Sequence, residues 1–236
     1  MKFFNITVTG VLFLFCALTV LPEKSYSEAM ESVSMAPSAE IIPLPPPRRD
    51  GGTTVERALQ QRRSRREFRK ASLSIQDISQ LLWSAQGITD EQGLRTAPSA
   101  GALYPLEVYV VVGTVEKLPA GIYKYRPRTH QLTRISKEDK RSELASAALD
   151  QGYVENNATV LVFSAVENRT TGKYGRRGIR YIHMEAGHAA QNVFLQAVSL
   201  GLGTVTVGAF DDEDVRKIME MPQGEHPLYL MPVGKP

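Results

Sequence analysis

The sequence predicts an α+β (mixed α/β) fold, a sheet covered by helices, and three observations carry that prediction. Residues 106–112, "LEVYVVV", and 159–166, "TVLVFSAV", are apolar runs of strand length. Segments with helical apolar stripes alternate with them along the chain. Residues 121–135, "GIYKYRPRTHQLTRI", read as a hairpin turning near 127–129. Strands interleaved with helices, plus one hairpin, fit a sheet with helical cover.

The elements follow in order. Residues 53–63, "TTVERALQQRR", form a helix with Thr54 as its cap. A stronger helix spans 74–87. Ser74 and Asp77 make a capping-box-like start, Ile75, Ile78, Leu81, Leu82 and Ala85 form one stripe, and Gly87 suits the stop. After the strand at 106–112 and the hairpin, 136–151 reads as a helix capped by Ser136, with Asp139 three residues on. The strand at 159–166 leads through a glycine-flanked loop to a long helix, "IRYIHMEAGHAAQNVFLQAVSLGLG". Apolar and small residues cover most of its faces, so it belongs at the centre. A short strand, "TVTVGAF", a helix capped by Asp211 and a last strand, "PLYLMPVG", complete the chain.

The chain ends have their own chemistry. Residues 1–27 carry Lys2, the apolar run 11–21 and Ser25-x-Ser27, the pattern of a secretory signal and its cleavage site. The apolar run is short for a membrane span, which needs about 20 residues. The expectation is therefore an exported, periplasmic protein, with an uncleaved membrane anchor as the alternative. Residues 28–52 are rich in Pro, Ser and Ala, and Pro43, Pro45, Pro46 and Pro47 favour extended chain. They read as a linker, or as an arm wrapping a partner subunit. Residues 53–236 then form one domain.

A net charge of +3 is too small to imply a nucleic-acid partner. Cys16 is the one cysteine and lies in the leader. A processed chain therefore has no disulfide, no thiol nucleophile and no thiolate metal site. His183 and His188 are five residues apart, roughly 140° around a helix, and so do not share a metal; no metal site is expected.

Four stretches have chemistry to offer. "RRSRREF" places Arg62, Arg63 and Arg66 around Ser64, and guanidinium forks match phosphate oxygens. A solvated basic run remains the plain alternative. Pro98, Ser99 and Ala100 make a turn with little side chain, open to a flat ligand or simply tight. Gly208 and Ala209 leave backbone uncovered between a strand and a helix start, a common ligand position. Lys235 is a cation just past the last strand, a second phosphate contact or a solvated lysine.

"RRSRREF", "PSAGALYPLEVYVV", "KYGRRGIRYIHMEAGHAAQNVFLQAVSLGLGT", "VGAFDDEDV" and "PLYLMPVGKP" occur in one order. In that order they resemble the flavin nitroreductase superfamily, in particular its SagB/McbC-type branch of thiazole/oxazole-forming dehydrogenases. The resemblance runs from about Val55 to Pro236. It implies a mixed sheet flanked by helices, an intertwined homodimer and FMN held at the interface. It implies Arg62, Arg63, Ser64, Arg66 and Lys235 around the phosphate and ribityl chain. Pro98, Ser99 and Ala100 would then lie along the ring, Gln151 at its pyrimidine edge, and Gly208 and Ala209 beside N5. It also implies Lys173 and Tyr174 as the acid/base pair of azoline oxidation. The expected function is FMN-dependent hydride transfer to or from a small organic substrate, with NAD(P)H a possible donor. An azoline dehydrogenase and a non-catalytic flavin-binding module are the alternatives. The peptide-modifying enzymes work in the cytoplasm, so an export signal sets this chain apart from them.

Overall fold

A computed structural model describes residues 40–236; the leader assigned to 1–27 lies outside the described residues. The elements run β1 (Ile41–Pro43), α1 (Val55–Gln61), β2 (Leu73–Ser74), α2 (Ile75–Gln86), β3 (Leu106–Val112), β4 (Val115–Glu116), β5 (Gly121–Arg126), β6 (Gln131–Ser136), α3 (Arg141–Ala147), β7 (Thr159–Val166), α4 (Asn168–Tyr174), α5 (Arg177–Ser199), β8 (Gly203–Thr204), α6 (Asp212–Ile218) and β9 (Glu225–Gly234). Seven strands make one sheet in the order β1-β6-β5-β3-β7-β9-β8, each pair antiparallel. The short pair β2–β4 and a bridge from Ser64 to Thr204 are parallel.

The pleat explains the layering. Along β3, Leu106, Val108, Val110 and Val112 point to one face and pack with Ile78 and Leu82 of α2 and Ala189 and Val193 of α5. Tyr109 and Val111 point to the other, against Leu144 of α3 and Val215 of α6. A strand buried on both faces has no polar alternation, and that is why β3 and β7 are continuous apolar runs. The small residues Ala186, Ala189, Ala190 and Ala197 let α5 lie close to the sheet.

The local caps form as their sequences predict. The Thr54 hydroxyl accepts from Arg57 N–H, Ser74 and Asp77 close a reciprocal box, and Asp211 accepts from Asp214 N–H. Three expectations are corrected. Of the segment 28–52, read as a linker or a partner-wrapping arm, the described part from Glu40 on packs against its own chain. Residues 41–43 add an edge strand to β6, where a proline costs no ladder bond. The Pro45 carbonyl accepts from Ser79 Oγ, and Arg48 exchanges backbone bonds with the Gln80 amide, so this stretch wraps its own chain. Ser136 does not cap a helix; it ends β6 opposite Ile122, and α3 starts at Arg141, which Asp139 grips at 2.7 Å. Lys173 and Tyr174 do not lie on a loop but close α4, which Gly175 stops at φ +56°.

One face of the sheet buries charge. Lys124 of β5 donates to Glu225 Oε2 at 2.9 Å and to Tyr109 Oη at 2.9 Å, and lies 3.3 Å from Glu107 Oε2. Ser164 Oγ donates to the other Glu225 oxygen. Arg169 takes the second oxygen of Glu107 at 2.6 Å, so two cations balance two carboxylates. Burial, with Glu225 and Glu107 beside it, pushes Tyr109 ionisation far up, so the phenol stays neutral.

Candidate functional site

After α1 the chain crosses the sheet edge as an extended strap, residues 62–69. Arg65 N–H donates to Thr204 O, Arg69 N–H to Lys235 O, and Arg69 Nε to Pro236 O. Two glycines make the seat. A methyl at Gly203 would come 2.9 Å from Arg65 Cβ, and one at Gly234 would come 2.9 Å from the Phe68 ring. The strap therefore lies flat on the ends of β8 and β9. This brings Lys235 beside the arginine run although the two are about 170 positions apart in sequence.

Within that run Arg62 stands 5.1 Å over the Phe194 ring of α5, and Arg66 stands 5.8 Å over Tyr153. Arg63 donates to the carbonyls of Gln60 and Arg62. Arg63, Ser64, Arg66 and Lys235 are exposed. Tyr153 in turn donates to Gln151 Oε1, and Gln151 Nε2 donates to Ala209 O at 3.0 Å and Ala148 O at 2.7 Å. One continuous surface thus holds Arg62, Arg63, Ser64, Arg66, Lys235, Gln151 and Ala209, with Gly208 exposed beside it. The Gln151 amide is engaged within the chain, so it meets a ligand only by releasing one of these bonds.

The other predicted residues form a second group. Ser99 precedes a 3-10 turn, residues 100–102, and its hydroxyl accepts from Tyr104 N–H at 2.9 Å. Gly101 in that turn has φ +64°, and a methyl there would lie 2.8 Å from Tyr174 Oη and 3.1 Å from Lys173 Nζ. A glycine is required on both counts, because the chain's own Tyr174 and Lys173 fill the space that a Cβ would take. Tyr174 packs edge-on to Tyr181 at 5.2 Å. Pro98, Ser99, Ala100, Lys173 and Tyr174 thus come together at the end of α4. The two groups lie at different levels of α5: Phe194 marks the first and Glu185 the second, nine residues or about 13 Å along the axis.

Glu185 went unnoticed in the sequence. It is 2 % exposed, and its Oε1 has no partner among the described residues. A lone acid on the small-residue face of a central helix, in "HMEAGH", was the available signal. Burial raises its carboxyl from the usual 4.5 to about 7, with Ser99 and Arg95 opposing the shift. A raised acid favours the fold below the unfolded pKa, and that contribution is lost as pH rises from 4.5 through 7. The full window is worth about 3 kcal/mol at 1.4 kcal/mol per unit. Glu185→Gln mimics the protonated acid. Its melting temperature should match the parent at pH 5 and exceed it at pH 8; equal melting at both pH values would show that Glu185 does not titrate in this range.

FMN fits these residues. Its phosphate needs clustered fixed cations, which the strap and Lys235 supply, and its ring needs exposed backbone with little side chain, which Gly208 and Ala209 supply. Among the described residues no cluster of His, Cys, Asp or Glu could hold a metal, and no helix is long and apolar enough to cross a membrane.

The chain is similar to known proteins over most of its length. MJ1384 of Methanocaldococcus jannaschii, named as a nitroreductase, is 50% identical over 181 residues, covering 77% of this chain and 90% of that protein. The NADPH-flavin oxidoreductase of Vibrio harveyi is 31% identical over 113 residues, 44% of this chain and 47% of that protein. Among solved structures, a Ralstonia eutropha nitroreductase superposes with a TM-score of 0.72 at 31% identity, covering 83% of this chain and 89% of its own. A chain of the Escherichia coli microcin synthetase McbBCD complex superposes with a TM-score of 0.65 at 25% identity, covering 94% and 84%. The Nitroreductase family pattern matches residues 59–235, the span that holds the strap, the Gly101 turn and the Lys173-Tyr174 pair, and the chain belongs to the nitroreductase family.

Proposed function

We propose that this oxidoreductase binds FMN and moves hydride between it and a small organic substrate, with NAD(P)H as electron donor. The observation that carries the reading is the strap: it is seated so that Arg62, Arg66 and Lys235 share one surface with Gln151 and Ala209. FMN supplies the redox chemistry when bound. The chain's own part is to anchor, orient and manage protons. Arg62, Arg63, Ser64, Arg66 and Lys235 offer charge-assisted bonds to a phosphate. Pro98, Ser99 and Ala100 offer bare backbone to a ring. Gly208 and Ala209 offer exposed backbone just past the Val207–Leu230 bridge.

Charge-assisted bonds are each worth about 1.5–3 kcal/mol. Arg62→Ala should therefore weaken FMN by roughly one to two decades in a fluorescence titration. A protein that gains no flavin absorbance on adding FMN would overturn the reading. Loaded protein that is not oxidised or reduced by NADH, NADPH or menadione would point instead to a flavin-binding module without turnover.

A homodimer is part of this proposal. The two groups of site residues lie at different levels of α5, so a second copy can complete the site. Val55 and Leu59 of α1 and Met184 of α5 are apolar and more than half exposed. Dimer mass by light scattering, rising with FMN, is the expected result. Export rests on the leader alone; mass analysis of the N-terminus of protein purified from the periplasm reads it directly.

The second reading, azoline dehydrogenation, is favoured by one observation: Lys173 Nζ and Tyr174 Oη both converge on Gly101. A group that removes a proton beside a redox ring suits that chemistry.

A further inference from the structure

A cavity of about 650 Å³ is lined by Leu103 and Tyr104, just after the Gly101 turn, and none of Pro98, Ser99 or Ala100 lines it. Its accessible apolar lining is Ile41, Leu103 and Tyr104, over a base closed by the buried Leu106, Val108 and Tyr125. Its wall carries four arginines, Arg95, Arg126, Arg128 and Arg169, against one carboxylate, Glu107. That carboxylate is held by Arg169 at 2.6 Å and by the buried Lys124 at 3.3 Å, so it offsets Arg169 and leaves Arg95, Arg126 and Arg128 unmatched.

Arg95 distinguishes this pocket from a solvated basic patch. Its guanidinium lies 4.4 Å over the Tyr104 ring, Nη1 donates to Gln86 Oε1 at 2.8 Å, and Nε is buried without a partner among the described residues. Burial makes its charged form costly. Arg126 uses only its Nε, on Thr133, and Arg128 is exposed with no acceptor in reach among the described residues. The fold thus holds a partly desolvated cation with unspent donors beside an apolar lining. A cavity of this size suits a small molecule.

We infer that this pocket binds a small organic oxyanion, a carboxylate or phosphate on an apolar or aromatic body. The aromatic body rests against Tyr104 and Ile41, and the oxyanion meets the forks of Arg95, Arg126 and Arg128. Arg169 and Lys173 are four apart on α4, on one face and one turn from each other. The pocket therefore adjoins the candidate acid/base pair, and an anchored anion would have its far end near the Gly101 turn.

The test is calorimetric titration of the full chain with 4-nitrobenzoate, phenyl phosphate and neutral 4-nitrobenzyl alcohol. The anions should bind, the alcohol at least about tenfold more weakly, and added salt should reduce the difference. The two anions separate a carboxylate ligand from a phosphoryl one. The double variant Arg126→Gln/Arg128→Gln changes exposed side chains, and its melting temperature checks the fold. It should weaken the preferred anion about ten- to a hundredfold. Equal binding of the alcohol, or unchanged anion affinity in the double variant, would overturn the inference. Complete displacement of either anion by one equivalent of FMN would overturn it too, because the pocket would then be part of the flavin site.

Discussion

Lys124→Met is expected to lower the unfolding free energy by about 3–5 kcal/mol, the cost of leaving buried charge without its partner. Glu225 is 2 % exposed, and Lys124 is the cation that meets it. Without the ammonium, Glu225 keeps only the Ser164 hydroxyl, and Tyr109 loses the donor at its phenol oxygen. A domain of this size has a total stability of about 5–15 kcal/mol, so the loss is a large fraction of it. The pair itself is a weak source of net stability, because removing both charges also removes the desolvation cost. Lys124→Met/Glu225→Gln should therefore regain most of what the single variant loses. Denaturant midpoints at unchanged slope read both. A single variant within 1 kcal/mol of the parent would mean that water reaches Glu225.

Lys173→Ala is expected to slow turnover of a proton-losing substrate, such as a thiazoline, by roughly 10²–10⁴. The motive is position: Nζ and the Tyr174 hydroxyl meet at the space that a Gly101 side chain would take. Reduction of a quinone by loaded protein requires no such base, so it should be almost unchanged, as should FMN affinity. Tyr174→Phe keeps the ring packed on Tyr181 and tests the hydroxyl alone. Equal losses in both reactions, or loss of FMN from the variant, would make the pair structural and remove the support for azoline chemistry. Glu185, beneath the same turn, adds a second titrating group, so pH profiles are best compared between Lys173→Ala and Glu185→Gln.

The sequence by itself determined the elements whose causes are local. The apolar runs at 106–112 and 159–166 became β3 and β7 with the predicted bounds, because a strand buried on both faces leaves its mark on every residue. The caps at Thr54, Ser74 with Asp77, and Asp211 lie within three residues of the groups that they satisfy. The bare turn at 98–102 was legible for the same reason. α4 was not: "NRTTGKY" has no apolar stripe, and its helix rests on α5, where Gly178 lies 3.0 Å from Thr171 if given a methyl. Only the tertiary structure seated the arginine strap on Gly203 and Gly234, buried Lys124 between two carboxylates, sealed Glu185 in the core and gathered four arginines around one pocket. Those arrangements join residues from tens to nearly two hundred positions apart. No periodicity within a segment records which distant segment will lie against it, because close packing and charge balance are properties of the assembled layers.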